Sequence, residues 1–127
     1  MPEHRIRLRA AWERIDPDGD GSPARVDLPT TWAEADRDRP IRLARRFGRP
    51  RVDDATGAVV LELADVPGLR AIRLNGRGLP VPAGDPGRVD LGGRLEARNV
   101  LELDVVPARA EGTPWGSIAL VVPGQGD

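Results

Sequence analysis

VVLELADVPGLRAIRLNG, residues 59–76, holds two strands and the turn that reverses the chain after the second. Val59, Leu61 and Leu63 recur at every second position, as do Ile72 and Leu74, the period at which β-strand side chains return to one face. Asn75-Gly76 follows Leu74 directly. Both turn residues tolerate positive φ, which makes Asn-Gly the strongest short signal for a hairpin.

Outward from this stretch the same period of two continues. Ile6, Leu8, Ala10 and Trp12 alternate with Arg7, Arg9 and Ala11, and Ile41, Leu43, Arg45 and Phe47 alternate with Arg42, Ala44 and Arg46. Each reads as a strand with one buried face, so Trp12 and Phe47 are expected in the core. Leu101, Leu103 and Val105 repeat the pattern, and Val26 to Leu28, Val89 to Leu91 and Ile118 to Val122 add shorter candidates. The 15 Gly and 13 Pro are spread between these runs rather than pooled in one linker, which is how an array of short strands is punctuated. Trp32 to Arg39 could be helical, but Pro29 and Pro40 confine it to a loop with a turn of helix. About eight strands without intervening helices predict an all-β fold, two antiparallel sheets packed face to face as a jelly-roll sandwich. The 127 residues suit one core and are read as a single domain.

No apolar run approaches the ~20 residues of a membrane-spanning helix. The start, MPEHRIRLRAAW, has basic residues without the apolar stretch of a secretory signal, so a cytoplasmic location is expected. Nineteen basic and twenty acidic residues give a net charge of −1. The densest basic stretch, Arg42, Arg45, Arg46, Arg49 and Arg51, lies on a strand and its end and reads as a solvated face, which argues against nucleic acid as a partner.

Covalent and acid–base catalysis draw on a short list of side chains, and here it is nearly empty. The chain has no Cys, Tyr or Lys, one histidine at His4, and serines only at Ser22 and Ser117. Glu62 and Glu102 alternate with Leu61, Leu63, Leu101 and Leu103, so they are expected to face outward into solvent, where nothing raises a carboxyl pKa into the range of a general acid. No catalytic residue, cofactor or metal is assigned on these grounds. Asp16-Pro17-Asp18-Gly19-Asp20-Gly21, with Asp27 in the twelfth position, fits the spacing of a calcium loop. Such a loop needs flanking helices, however. Here a strand precedes it, Pro23 fills the eighth position and VDLP follows, so an acidic turn is the favoured reading and calcium binding the alternative.

The order of motifs resembles the N-terminal sugar-binding domain of family 2 glycoside hydrolases, which include β-galactosidases. The residues that carry the resemblance are Trp12, RVDLPTTW (25–32), RRFGRP (45–50), VVLELADVPGLRAIRLNG (59–76), RNVLELDVVPA (98–108) and GTPWGSIALVV (112–122). It spans about Ile6 to Val122. It implies a galactose-binding-like domain that is itself non-catalytic, the acid and nucleophile carboxylates of those enzymes lying in a separate TIM barrel. Residues 77–91 lack the family's aromatic "P-F" before the next strand.

Sugar recognition needs an aromatic face for the pyranose and polar groups for its hydroxyls. Trp32 and Trp115, beside turns, are candidate platforms, with plugging the end of the sandwich as the competing role. Asn75 could offer its amide, although the turn already accounts for it, and Arg46 a bidentate guanidinium, although an ion pair within the chain is its commoner fate. Two functions follow: an accessory or interaction domain working with a glycoside hydrolase, or a stand-alone carbohydrate-binding module.

Overall fold

A computed structural model describes residues 4–17, 19, 22–49, 59–107 and 114–122. Its strands are β1 (His4–Arg7), β2 (Trp12–Ile15), β3 (Ala24–Val26), β4 (Ile41–Gly48), β5 (Val60–Ala64), β6 (Leu69–Leu74), β7 (Arg77–Leu79), β8 (Gly87–Asp90), β9 (Arg98–Val105) and β10 (Ser117–Val122). They form two antiparallel sheets, ordered β1-β10-β5-β8 and β3-β2-β4-β9-β6-β7. The expected sandwich is therefore present.

The period-two residues meet between the sheets. Leu43, Leu61, Leu63, Leu101 and Leu103 are fully buried and join Trp12 in one core, each buried leucine contributing about 1.5–3 kcal/mol relative to exposure. Phe47 packs half-buried against it. Asn75 and Gly76 adopt φ of 53° and 82°, and Leu74 pairs with Arg77, so the Asn-Gly hairpin forms with both turn residues at positive φ. Residues 34–36 make one 3-10 turn, as the flanking prolines predict.

Three expectations need correction. Ile6 to Trp12 is not one strand: β1 pairs with β10 in one sheet, β2 with β3 and β4 in the other. The chain crosses between sheets at Leu8 to Ala11, where Ala11 takes φ of 66° and the Trp12 indole N–H donates to the Leu8 carbonyl at 2.8 Å. Leu8 and Trp12 are buried on either side of the crossing because both sheets share one core, while Ala10 between them is exposed. Next, Val26 to Leu28 is only partly strand, since β3 ends at Val26 and buried Leu28 precedes Pro29 in a loop. The edge strand β7 completes the Asn-Gly hairpin, although RGL itself shows no alternation.

Glu62 is the third. It occupies the outward face as predicted, but it is only 8% exposed. Arg5 of β1 binds both of its oxygens across β10, and Arg88 of β8 approaches Oε2 at 3.0 Å. Long arginine stems cover a residue that alternation alone leaves to solvent.

Candidate functional site

One end of the sandwich is closed by the tryptophans beside the turns. Thr30 and Trp115 exchange backbone hydrogen bonds at 2.9 and 2.6 Å, an isolated bridge that fixes the approach to β10. Gly116, at φ of 94°, follows so closely on Leu28 that a Cβ would lie 3.3 Å from its side chain. The Trp115 indole N–H donates to the Pro67 carbonyl at 2.8 Å. Its ring meets Trp32 edge to face, centroids 5.4 Å apart and planes at 62°, the geometry that aromatic quadrupoles favour. Trp32 Nε1 is buried without a hydrogen-bond partner among the described residues.

Arg14 holds this end together from β2. Its guanidinium lies 5.8 Å from the Trp32 ring centroid, within cation–π range. It forks onto Asp36 at 3.1 and 2.6 Å and onto Asp16 at 2.8 and 3.3 Å. Asp36 also accepts from the Ala33 N–H at 3.0 Å, so one carboxylate ties the 3-10 turn to the sheet. The hydrogen bonds from Arg14 hold the Asp36 carboxyl below its ordinary pKa, partly offset by burial. Both Asp16 oxygens are engaged by Arg14, and the acidic turn runs between strands β2 and β3 rather than between helices. Asp18, Asp20 and Gly21 lie outside the described residues, and the described ones form no group of three or more metal-ligating side chains.

Beside the tryptophans a pocket of about 570 Å3 opens. Its walls are Leu63, Val66, Leu69, Val81 and Pro67, Pro82, Pro107 and Pro114, with Trp32 and Trp115 among them. Its polar side chains, besides the two indoles, are Asp65 and Asp85. Asp85 Oδ1 accepts from the Asp65 N–H at 3.2 Å, which sets the two aspartates side by side.

Of the four sequence candidates the structure brings together Trp32 and Trp115, both buried, at 6% and 2% exposure. Asn75 and Arg46 do not line the pocket. The Asn75 amide is consumed internally: Oδ1 accepts from the Val100 N–H at 2.8 Å and Nδ2 donates to Asn99 at 3.0 Å. The Arg46 side chain is 80% exposed and lies 3.8 Å from Glu13 on the outer face of the six-stranded sheet. Sequence reasoning missed Asp65, Asp85 and the proline-rich walls, because the 65–69 and 81–86 loops carry no alternation and no motif.

The carboxylates at Glu62 and Glu102 lie on the outer faces of different sheets, so they form no pair. Glu62 is held below its ordinary pKa, chiefly by the Arg5 hydrogen bond, against the opposing effect of burial. Glu102 shares Arg73 with Asp104, which Arg42 also contacts at 3.0 Å.

Solved structures that share this architecture include parts of larger hydrolases. An FMN-binding β-glucuronidase from Facaelibacterium prausnitzii L2-6 matches 94% of this chain with 22% of its own, at 23% identity and a TM-score of 0.69. A putative β-galactosidase from Bacteroides fragilis matches 95% of this chain with 23% of its own, at 15% identity and a TM-score of 0.71. A family 2 β-galacturonidase from Eisenbergiella tayi, bound to galacturonate, matches 96% with 25%, at 14% identity and 0.62. The chain folds like a part of the family 2 glycoside hydrolases. At these identities the likeness is one of fold, and the chain spans no more than a quarter of these enzymes. No protein-family description matches the sequence, and no curated protein does.

Proposed function

We propose that this chain is a non-catalytic accessory domain that works with a glycoside hydrolase catalytic unit. One observation carries the reading: nearly the whole chain corresponds to about a fifth to a quarter of three such hydrolases. The resemblance implies that the acid and nucleophile of those enzymes belong to a TIM barrel. The local chemistry agrees. Glu62 is neutralised by two arginines and held ionised, the reverse of the raised pKa that a general acid needs.

A stand-alone sugar-binding module has less support, because Trp32 and Trp115 pack edge to face in the core and leave little open ring face for a pyranose to stack on. To test the accessory role, the tagged chain is purified from the cells that make it, and any protein bound one-to-one is assayed on nitrophenyl glycosides with and without the chain. A bound hydrolase that loses stability or turnover when the chain is withdrawn is expected. A chain that stays alone, beside glycosidases from the same cells that are indifferent to it, would contradict the proposal.

A further inference from the structure

The pocket beside Trp32 and Trp115 has apolar walls and two acidic points. Val81 on its rim is 41% exposed, the one large apolar side chain so open among the described residues. The lining is equally one-sided in its polar chemistry. No described lining residue carries a cation, amide or hydroxyl, and the Trp115 N–H is spent on the Pro67 carbonyl. What remains for a ligand is the buried Trp32 N–H and two carboxylates, on Asp65 and Asp85, whose residues are joined by the 3.2 Å bond from the Asp65 backbone N–H to Asp85 Oδ1 and which bond to no cation among the described residues.

Such a site repels anions: a uronate or phosphate entering it would meet two like charges and, among the described lining side chains, a single unspent donor, the Trp32 N–H, to replace its hydration. An arginine or lysine side chain finds the converse. Its methylene stem covers Val81, Pro82 and Leu69, and its head donates to the two carboxylates in charge-assisted bonds. The geometry points to this pocket as the docking site for a basic segment of a protein partner, one that presents arginine next to an apolar side chain. About 570 Å3 exceeds what one side chain fills, which favours a segment with an apolar neighbour beside the cation over a free amine. The choice of a protein partner rests on the accessory-domain reading. The charge preference of the pocket does not.

The three indole N–H signals in a nitrogen–proton spectrum report on it directly, since Trp32 and Trp115 line the pocket and Trp12, bonded to Leu8, is an internal control. The probes are a blocked tripeptide with arginine between two leucines, the same peptide with glutamate, agmatine as the free amine, and glucuronate. Saturable shifts of the Trp32 and Trp115 signals with the arginine peptide, and tenfold weaker or absent effects with the other three, are expected. The double variant Asp65→Asn, Asp85→Asn should weaken the arginine peptide at least tenfold. Both substitutions keep the fold, because asparagine tolerates the 56° φ of residue 65 and retains an acceptor at residue 85. Absence of shifts, equal response to the glutamate peptide or glucuronate, agmatine binding as tight as the peptide's, or a double variant that binds unchanged would each overturn the proposal. The accessory role, tested by co-purification, would stand or fall separately.

Discussion

Asn75 donates from its side-chain amide to Oδ1 of Asn99 at 3.0 Å, joining the turn between β6 and β7 to the start of β9. Asn99 is 2% exposed, and its remaining capacity closes the 96–99 loop, accepting from the Glu96 N–H at 2.8 Å and donating to the Glu96 carbonyl at 2.9 Å. The strongest hairpin signal in the sequence is therefore also a tertiary anchor. Asn99→Ala removes three part-buried hydrogen bonds, leaving the Asn75 amide and both Glu96 backbone groups without this partner, and should cost about 1–3 kcal/mol. A change under about 1 kcal/mol in chemical denaturation, on the scale of one net hydrogen bond, would mean that water replaces the network.

Gly68 and Gly76 separate two reasons for glycine. Both have φ of 82°, but a Cβ on Gly68 would lie 2.3 Å from the Val106 carbonyl oxygen, whereas Gly76 has nothing within 4 Å. Gly76→Ala should cost about 1–2 kcal/mol for the left-handed backbone alone. Gly68→Ala should cost clearly more, read as the difference between the two denaturation midpoints.

Trp115 acts as a plug in this account. Trp115→Ala should destabilise by about 3–5 kcal/mol through the cavity it leaves, and Trp115→Phe by about 1 kcal/mol through loss of the bond to Pro67. A Trp115→Ala variant with unchanged thermal midpoint would return the residue to the role of an exposed platform.

Acid should weaken the fold in a defined direction. Glu62, Asp36 and Asp104 are held below their ordinary pKa values of 4.5, 3.8 and 3.8, chiefly by hydrogen bonds from Arg5, Arg14 and Arg73 respectively. Carboxyls with depressed folded pKa values contribute stability that is complete above those ordinary values and lost as pH falls through the lowered ones. The denaturation midpoint should thus fall on acidification below about pH 4.5. Asp36→Asn should be less stable at neutral pH and show a shallower fall.

Much of this architecture was legible because two-residue periodicity reports burial directly: Leu61, Leu63, Leu101 and Leu103 are all in the core. The sheet switch between Leu8 and Ala11 was not, since Leu8 and Trp12 bury into one shared interior from different sheets and the exposed Ala10 between them is apolar too. The burial of Glu62 was hidden for a related reason, because its cover comes from Arg5, 57 residues away in sequence. The tryptophans were legible as a pair of turn-adjacent aromatics, yet their mutual contact and the pocket beside them depend on the 65–69 and 81–86 loops, whose conformation no periodicity encodes.

The central claim, that the chain does no glycoside chemistry by itself, is tested most directly by turnover. Purified protein and the double variant Glu62→Gln, Glu102→Gln are assayed side by side on a panel of nitrophenyl glycosides and esters, before and after repurification. Equal background in both is predicted, since the two carboxylates lie on separate faces and Glu62 is locked between Arg5 and Arg88. Turnover that survives repurification and vanishes in the variant would contradict the account and make this chain an enzyme.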